Sequence, residues 1–324
     1  MNTLTEAVYL DSFLAPLSAW LARGDITDIY INRAHEVWVE LLGGAIERHD
    51  APALSQAALL RLARQIAARS AQGINRESPL LTASLPDGSR VQVVLPPATR
   101  GEVAIAIRRH VSAGLPLDAW HAGEPETGTK VESAKKQLVG AKKPEDAIGL
   151  LRQAIRSRRN ILISGGTSSG KTTFLNSLLQ EIPIHERLIL IEDAPELQLL
   201  HPNAVGLIAA RGSMGEADVS AEDLLIAALR MRPDRIMLGE IRGSEALTFL
   251  RAVNTGHPGS ISTIHADSPE RAIDQLALLV LASGSNLSFA NACDYIGRSI
   301  DIIVQLERAE GGRRIQSIRQ IRAN

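Results

Sequence analysis

A glycine-rich octet contains the residues of this chain best suited to bind phosphate. It reads Gly165-Gly166-Thr167-Ser168-Ser169-Gly170-Lys171-Thr172, followed by Thr173. It fits the pattern G-x-x-x-x-G-K-S/T at every fixed position. Lys171 is the one lysine outside residues 130–143, and a compact ammonium there would reach the β- and γ-phosphates, while the Thr172 hydroxyl would contact Mg²⁺. The octet predicts that residues 165–173 bind a nucleoside triphosphate; a glycine turn without a ligand is the alternative.

Acidic residues follow two apolar segments that we expect to be strands beside this loop. Glu240 ends the segment 236–240, and Glu192 and Asp193 follow the segment 188–191. A carboxylate at such a strand end could polarise an attacking water. Gly239 stands where many P-loop enzymes carry an aspartate associated with Mg²⁺. We therefore predict Glu240 as the catalytic acid and Glu192 as the acid near the metal, the alternatives being a solvated glutamate and a turn cap.

Two histidines bracket a further apolar segment. His257 and His265 lie on either side of residues 260–264. A histidine just past such a strand can hydrogen-bond a γ-phosphate or relay its loss to a neighbour. Both are predicted as functional, against the alternative of structural histidines. No cysteine or carboxylate cluster accompanies them, so we do not expect them to bind a metal.

Arginines would supply the remaining positive charge, because the oxygens of a transferring phosphoryl group gather negative charge. Each candidate could equally be a surface charge. The candidates are Arg90, Arg100, Arg108, Arg211, Arg230 and Arg232.

The elements that must position these residues fall into two patterns. Residues 1–111 alternate strand-like segments (28–32, 36–40, 90–95 and 102–108) with a helical pattern around 59–67, which predicts an α+β domain. Residues 112–144 are rich in glycine, proline and lysine and are predicted to be a linker, with a helical stretch at 132–138. Residues 145–324 alternate continuous apolar strands with helices, which predicts an α/β domain with a mostly parallel sheet.

Composition excludes several classes of protein. The net charge is −1, so a general nucleic-acid surface is not expected. The single cysteine, Cys293, cannot form an internal disulfide or a zinc site. No signal peptide or membrane-spanning apolar segment is apparent. We expect a cytoplasmic protein whose association with a membrane, if any, is peripheral.

Four segments in the same order resemble the motifs of the secretion traffic ATPases. They are residues 165–173, 191–197, 229–243 and 254–267, which are similar to the Walker A, Asp-box, Walker B and His-box motifs. The chain looks most similar to the type IV secretion and conjugation branch, which contains the eleventh VirB component and TrbB. The resemblance is specific over residues 145–307 and covers residues 1–111 by general layout.

The resemblance implies a cytoplasmic ATPase that works as a homohexameric ring of RecA-like domains and powers a type IV secretion or conjugative machine. ATP and Mg²⁺ would bind through Lys171, Thr172 and Glu192, with Glu240 as the catalytic carboxylate. His257 and His265 would form the His-box, and Arg90, Arg100 and Arg108 would reach the phosphates from the N-terminal domain. Subunits of the secretion machine in the inner membrane are the implied partners, and no stable binding of nucleic acid is expected.

Other functions remain open at this point. A Tad-type or retraction-type pilus motor is the nearest alternative, and a P-loop switch without motor activity is a second. A helicase would share the RecA-like core, but no basic or aromatic strand-binding segment is apparent. Type II secretion relatives carry a four-cysteine zinc module, which one cysteine cannot form.

Overall fold

The computed structural model describes residues 10–42, 44–70, 72–109, 114–120, 144–209, 218–309 and 312–321. Two compact units divide these residues. The first holds 10–109 and 218–219, and the second holds 114–209 and 220–321. Within the described ranges, every helix is too short or too polar to span a lipid bilayer. Arg211 and the predicted helix at 132–138 lie outside the described residues.

The first unit is an antiparallel sheet covered by one long helix. Residues 10–14 are helical and lead into a 3₁₀ turn (Ala15–Leu17) and a short helix, α1 (Ser18–Leu21). The strands are β1 (Ile26–Ile31), β2 (Glu36–Leu41), β3 (Ile46–Asp50), β4 (Leu80–Ser84), β5 (Arg90–Val94) and β6 (Ala104–Arg108), in the order β3-β2-β1-β6-β5-β4. Each neighbouring pair is antiparallel, which confirms the predicted α+β class.

The long helix of the first unit is stabilised by a cap at its N-terminus and by apolar residues at helical spacing. In α2 (Gln56–Arg69), the Ser55 hydroxyl accepts a hydrogen bond from the Ala58 N–H and caps the N-terminus. Leu59, Leu62 and Ile66 recur at helical spacing and are buried in the core of this unit. The sequence predicted this helix, but not the edge strands β3 and β4.

The second unit has a seven-stranded sheet between helices. Its strands are β7 (Ile161–Gly165), β8 (Leu188–Glu192), β9 (Ala204–Ile208), β10 (Arg235–Leu238), β11 (Ile261–Ile264), β12 (Ile302–Ala309) and β13 (Gly312–Gln320). Its helices are α3 (Pro144–Arg156), α4 (Lys171–Leu179), α5 (Ala221–Arg230), α6 (Glu245–Asn254), α7 (Pro269–Ala282) and α8 (Phe289–Ser299). A 3₁₀ turn, Leu117–Ala119, precedes α3.

The strand order of this sheet is β13-β12-β7-β11-β10-β8-β9. All pairs are parallel except the hairpin of β12 and β13. Strands β7, β8, β10 and β11 are buried along their whole length, because two apolar clusters cover the two faces of the sheet. The prediction of a mostly parallel α/β sheet is confirmed; β9 and the β12–β13 hairpin were not predicted.

Part of the segment predicted as a linker packs on the second unit. Trp120 is buried, its indole N–H donates to Ser177 Oγ at 2.9 Å, and its ring meets Phe174 edge-to-face at 4.8 Å. The Ser177 hydroxyl in turn donates to the Leu115 carbonyl at 2.6 Å. Residues 114–120 are therefore held against α4, the helix that follows the glycine-rich loop.

A buried ion pair lies at the N-terminal ends of the parallel strands. Arg235 donates through Nε and Nη2 to both carboxylate oxygens of Glu186, each at 2.8 Å, and its side chain is 1% exposed. Arg158 contacts the same carboxylate at 3.0 Å. Burial opposes ionisation of Glu186, but the Arg235 and Arg158 guanidiniums together outweigh burial and lower the pKa of this carboxyl. The pair links the start of β10 to the segment before β8.

Candidate nucleotide-binding site

The glycine-rich loop connects the central strand β7 to helix α4. Gly170 is the residue before the helix and has φ +91°, a left-handed conformation that glycine adopts without strain. A Cβ at Gly165 would collide with the Ser169 side chain and lie 3.0 Å from the Leu306 carbonyl oxygen. The Ser169 hydroxyl closes the loop by donating to the Gly166 carbonyl at 2.8 Å. Glycine is therefore required at two positions of the loop by its close packing and its backbone angles.

Lys171 is directed back across this loop. Its Nζ donates to the carbonyls of Gly165 and Gly166 at 2.8 and 3.1 Å, and it lies 3.9 Å from Glu240 Oε1. Thr172 and Thr173 occupy the first turn of α4, where backbone N–H groups have no partner within the helix. A phosphate chain bound here would meet an ammonium, two hydroxyls and a helix N-terminus.

Glu240 is positioned by hydrogen bonds to the strands on either side of β10. The preceding residue, Gly239, donates its N–H to the Ile191 carbonyl at 2.8 Å, and the Ile241 N–H donates to the Thr263 carbonyl at 2.9 Å. The Thr263 hydroxyl also donates to the Gly239 carbonyl at 2.7 Å. The backbone around Glu240 is therefore fixed between β8 and β11, and its side chain, 18% exposed, lies next to Lys171.

Arg242 organises the acids at this edge of the sheet, a role the sequence analysis did not assign to it. Its guanidinium forms an ion pair with Glu240 and donates to Asp193 Oδ2 at 2.9 Å. Burial opposes the charged form, but Glu240 and Asp193 outweigh it, so the pKa of Arg242 is raised. The sequence signal for this role was the position of Arg242 two residues after Glu240, within the segment 229–243. Asp193 was considered together with Glu192 as an acid after the segment 188–191, and its contact with Arg242 was not predicted.

Glu192 has a structural task within its own loop. Its side chain is almost fully buried, and Oε2 accepts the N–H groups of Glu196 and Leu197 at 2.8 and 2.6 Å. These bonds hold the turn after β8 that presents Asp193 to Arg242. One carboxylate oxygen of Glu192 thus caps the turn, as the alternative to a metal ligand proposed. A metal contact through this side chain stays a prediction.

The two histidines lie at opposite ends of β11. His265 follows the strand at the same end as the loop, because Ile264 pairs with Ser164. Its side chain is exposed and forms no hydrogen bond with another described residue. His257 precedes the strand, and its Nδ1 lies 3.0 Å from the Pro233 carbonyl oxygen.

This separation follows from the length of the strand that the two histidines bracket. Residues that bracket a strand are at its two ends, and four residues of strand span about 13 Å. The second unit therefore brings His265, but not His257, to the end of the sheet that carries Lys171 and Glu240. Any role of these side chains with nucleotide stays a prediction.

The three arginines predicted to reach the phosphates belong to the first unit. Arg90 and Arg108 lie directly opposite each other on β5 and β6. Arg100 is exposed in the turn between these strands. The turn joins the end of β5 to the start of β6, so Arg100 lies at the end of this strand pair opposite to Arg90 and Arg108. A contact of any of the three with nucleotide stays a prediction.

The donor set fits Mg²⁺ only if the nucleotide supplies most of the ligands. No group of three or more His, Cys, Asp or Glu side chains suited to a metal occurs among the described residues. Mg²⁺ is often bound by one or two protein ligands, phosphate oxygens and water. Thr172 and a carboxylate from the β8 or β10 end, Glu192 or Glu240, would meet that requirement.

The chain is similar to proteins of bacterial secretion systems along almost its whole length. Residues 14–311 match the family described as Type II/IV secretion system protein. The type IV secretion system protein VirB11 of Bartonella quintana is 37% identical, with 98% of this chain and 94% of that protein covered. The type IV secretion system protein PtlH of Bordetella pertussis is 38% identical, with 93% and 91% covered.

Solved structures of related ATPases are also similar to this chain. The VirB11 ATPase from the Brucella suis type IV secretion system, solved in complex with sulphate, is 34% identical, with a TM-score of 0.52 and 98% and 96% of the two chains covered. The pilus retraction motor PilT with bound ADP is 20% identical, with a TM-score of 0.60 and 94% and 80% covered, and shares the fold. The mostly parallel sheet of the second unit is accordingly a RecA-like fold. The chain belongs to the type II/IV secretion system protein family and is a type IV secretion ATPase.

Proposed function

We propose that this ATPase is a ring motor that hydrolyses ATP at the loop 165–173 to drive a type IV secretion or conjugative machine. The observation that carries the proposal is the 3.9 Å separation of Lys171 Nζ and Glu240 Oε1. It puts the cation suited to the γ-phosphate and the carboxylate suited to activate water at one point, as hydrolysis requires. A nucleotide switch without motor activity does not need an acid at that point.

The proposed roles combine the positions of the side chains in the second unit with the resemblance to the family, on which the roles of the three arginines of the first unit rest. Lys171 and the loop N–H groups bind the phosphates, and Glu240 orients the attacking water and accepts its proton. The Thr172 hydroxyl and Glu192 or its neighbours hold Mg²⁺, which neutralises charge on the phosphates. His265 lies where it could respond to loss of the γ-phosphate. Arg90, Arg100 and Arg108 supply further positive charge from the first unit.

Arg242 is proposed as a positioning residue that holds Glu240 in place. Arg242→Gln is expected to lower kcat about tenfold, the size expected for losing a hydrogen bond between charged groups, while KM for ATP changes little. Steady-state ATPase assays measure both constants. Arg242→Lys should recover part of kcat, and Arg319→Gln, which removes an exposed partner of Glu270, serves as the control. An unchanged kcat in Arg242→Gln would contradict the role.

The assembly and location are proposed from the family. We infer a homohexamer, partners among the inner-membrane subunits of the secretion machine, and a location in the cytoplasm with peripheral association at the inner membrane. The relatives VirB11 and PtlH, named as type IV secretion system proteins, support this choice over a Tad-type or retraction-type pilus motor. The fold alone, which PilT shares, does not distinguish these motors.

Specific ATPase activity measured against protein concentration tests the motor. A ring whose subunits complete one another's sites should show activity per milligram that rises with concentration and then saturates. A light-scattering molar mass at the lowest concentration should show smaller species there. A flat profile from a monomer would refute the ring and favour the switch, and a flat profile from a stable oligomer would refute the predicted rise.

A further inference from the structure

The β12–β13 hairpin extends past the core of the second unit toward the phosphate loop. Leu306 and Ile315 lie opposite each other and are buried in the cluster that contains Trp120 and Phe174. Alternate residues of a strand face the same side. Two positions farther along the hairpin, Arg308 and Arg313 also lie opposite each other. They therefore share the face that covers helix α4.

Arg313 contacts the loop and the first turn of α4. Its Nη1 donates to Thr173 Oγ1 at 3.3 Å. A Cβ built on Gly170 would lie 2.6 Å from Arg313 Cδ and 3.1 Å from the edge of the Trp120 ring. The aliphatic stem of Arg313 thus lies on the last glycine of the loop, and its guanidinium reaches the residue that follows Thr172.

We propose that Arg313 is a nucleotide-binding residue that contacts the α-phosphate side of the ligand. The inference rests on the proposed nucleotide site at residues 165–173. Lys171 and Thr172 address the β- and γ-phosphates and Mg²⁺, whereas the backbone of the loop cradles the α- and β-phosphates. Thr173 is one residue farther along the helix, and a guanidinium hydrogen-bonded to it lies beside the part of the ligand away from the γ-phosphate. Arginine suits this task because its planar fork can hold two phosphate oxygens at once.

Arg314, the residue after Arg313, lies on the opposite face of the hairpin. There it forms an ion pair with Glu307, the residue directly opposite it. Arg314 therefore offers a charge of the same kind that is turned away from the loop.

Trp120 and Arg313 both lie close to Gly170, the last glycine of the loop. The Trp120 ring is held against α4 by its hydrogen bond to Ser177 and its edge-to-face contact with Phe174. The fixed ring limits the space beside Gly170 that the Arg313 stem can occupy, which reduces the freedom the side chain loses when a ligand binds.

Titration calorimetry of the full-length protein with ADP and with a non-hydrolysable ATP analogue tests the proposal. Arg313→Met keeps an aliphatic stem on Gly170 and removes the charge. It is expected to weaken both ligands by the same factor, about tenfold, as for one lost charged hydrogen bond. Arg313→Lys, which keeps the charge, should lose less. Arg314→Met on the other face is the matched control and should bind as the wild type does.

The outcomes separate this inference from the proposed site. Normal binding of both ligands by Arg313→Met would mean that the residue only packs on the loop, and the inference would be wrong. Loss for the ATP analogue alone would place Arg313 at the γ-phosphate, which also overturns it. If Arg313→Met does not fold, Arg313→Gln, which also removes the charge, decides: binding weakened equally for both ligands supports a phosphate contact, and unchanged binding overturns it. Normal binding by Lys171→Ala would instead refute the nucleotide site itself.

Discussion

Replacing Glu240 with glutamine is expected to lower kcat for ATP hydrolysis by about 10²- to 10⁴-fold, the range that a positioned general base contributes. Glutamine keeps the length and one acceptor of the side chain but cannot take a proton from water. The hydrogen bonds that fix the backbone on both sides of Glu240 involve Ile191, Gly239, Ile241 and Thr263 and do not use this carboxylate. Nucleotide binding should therefore be retained, and the loss should fall on kcat rather than on KM. Single-turnover hydrolysis and ADP titration measure the two separately.

Asp193→Asn is the matched control for this variant. It removes one negative charge from the same edge of the sheet and from the same guanidinium, since Asp193 and Glu240 both pair with Arg242. If the effect of Glu240→Gln came only from the altered charge around Arg242, the two variants would lose similar activity. We expect Asp193→Asn to lower kcat by about tenfold or less, the scale of one lost charged hydrogen bond. That is at most about a tenth of the fold-decrease in kcat expected for Glu240→Gln. Turnover by Glu240→Gln near the wild-type rate would show that another group activates the water.

The glycine-rich loop and the parallel sheet could be predicted because local sequence encodes them. Gly170 needs a left-handed backbone and Gly165 has no room for a Cβ, so their positions in the octet are set by geometry within a few residues. The strands β7, β8, β10 and β11 are buried on both faces and therefore appear as continuous apolar segments. A strand that leads to Glu240 beside that loop follows from these two patterns together, although β10 itself ends at Leu238.

The remaining features depend on contacts between distant residues. Arg313 lies 140 positions after Thr173 in the chain, and nothing in the periodicity of β13 indicates which element its face covers. Edge strand β9 is only partly buried, so it lacks the continuous apolar pattern of the central strands. The sequence offered a turn cap as an alternative for Glu192 but could not identify its partners, because these are backbone N–H groups, which every residue but proline carries.

The two histidines show what a pattern around one strand can and cannot locate. The sequence identified the strand between the histidines, and β11 does pair with β7. Two residues on either side of one strand must lie at its two ends, so only the residue after the strand can approach a loop at the carboxyl edge of a parallel sheet. That edge carries Lys171, Glu240 and His265, and His257 lies at the opposite edge, where Arg235 pairs with Glu186.

The largest stability effect is expected at that opposite edge, from Arg235→Met. The variant leaves Glu186, 3% exposed, without the two hydrogen bonds that compensate its burial. Removing one partner of a buried ion pair typically costs about 3–5 kcal/mol. Arg158 still contacts Glu186 at 3.0 Å, so we expect a loss of free energy of unfolding near the lower end of that range. Urea denaturation monitored by circular dichroism measures it, with the exposed pair variant Arg271→Met as a control that should change by less than about 0.5 kcal/mol.

The double variant Arg235→Met/Glu186→Leu and the pH dependence distinguish an uncompensated charge from lost packing. Removing both charges should recover most of the stability, because apolar side chains of similar volume can replace a buried ion pair. The folded-state pKa of Glu186 is lowered by Arg235 and Arg158 against the effect of burial, so the wild type gains stability from this group above the unfolded-state pKa and loses it as pH falls through the folded-state pKa. In Arg235→Met, protonation of Glu186 relieves the burial penalty instead. The difference in free energy of unfolding between wild type and Arg235→Met should therefore decrease as the pH is lowered. A difference that stays constant would show that packing rather than charge stabilises this edge of the sheet. A double variant no more stable than Arg235→Met would show the same.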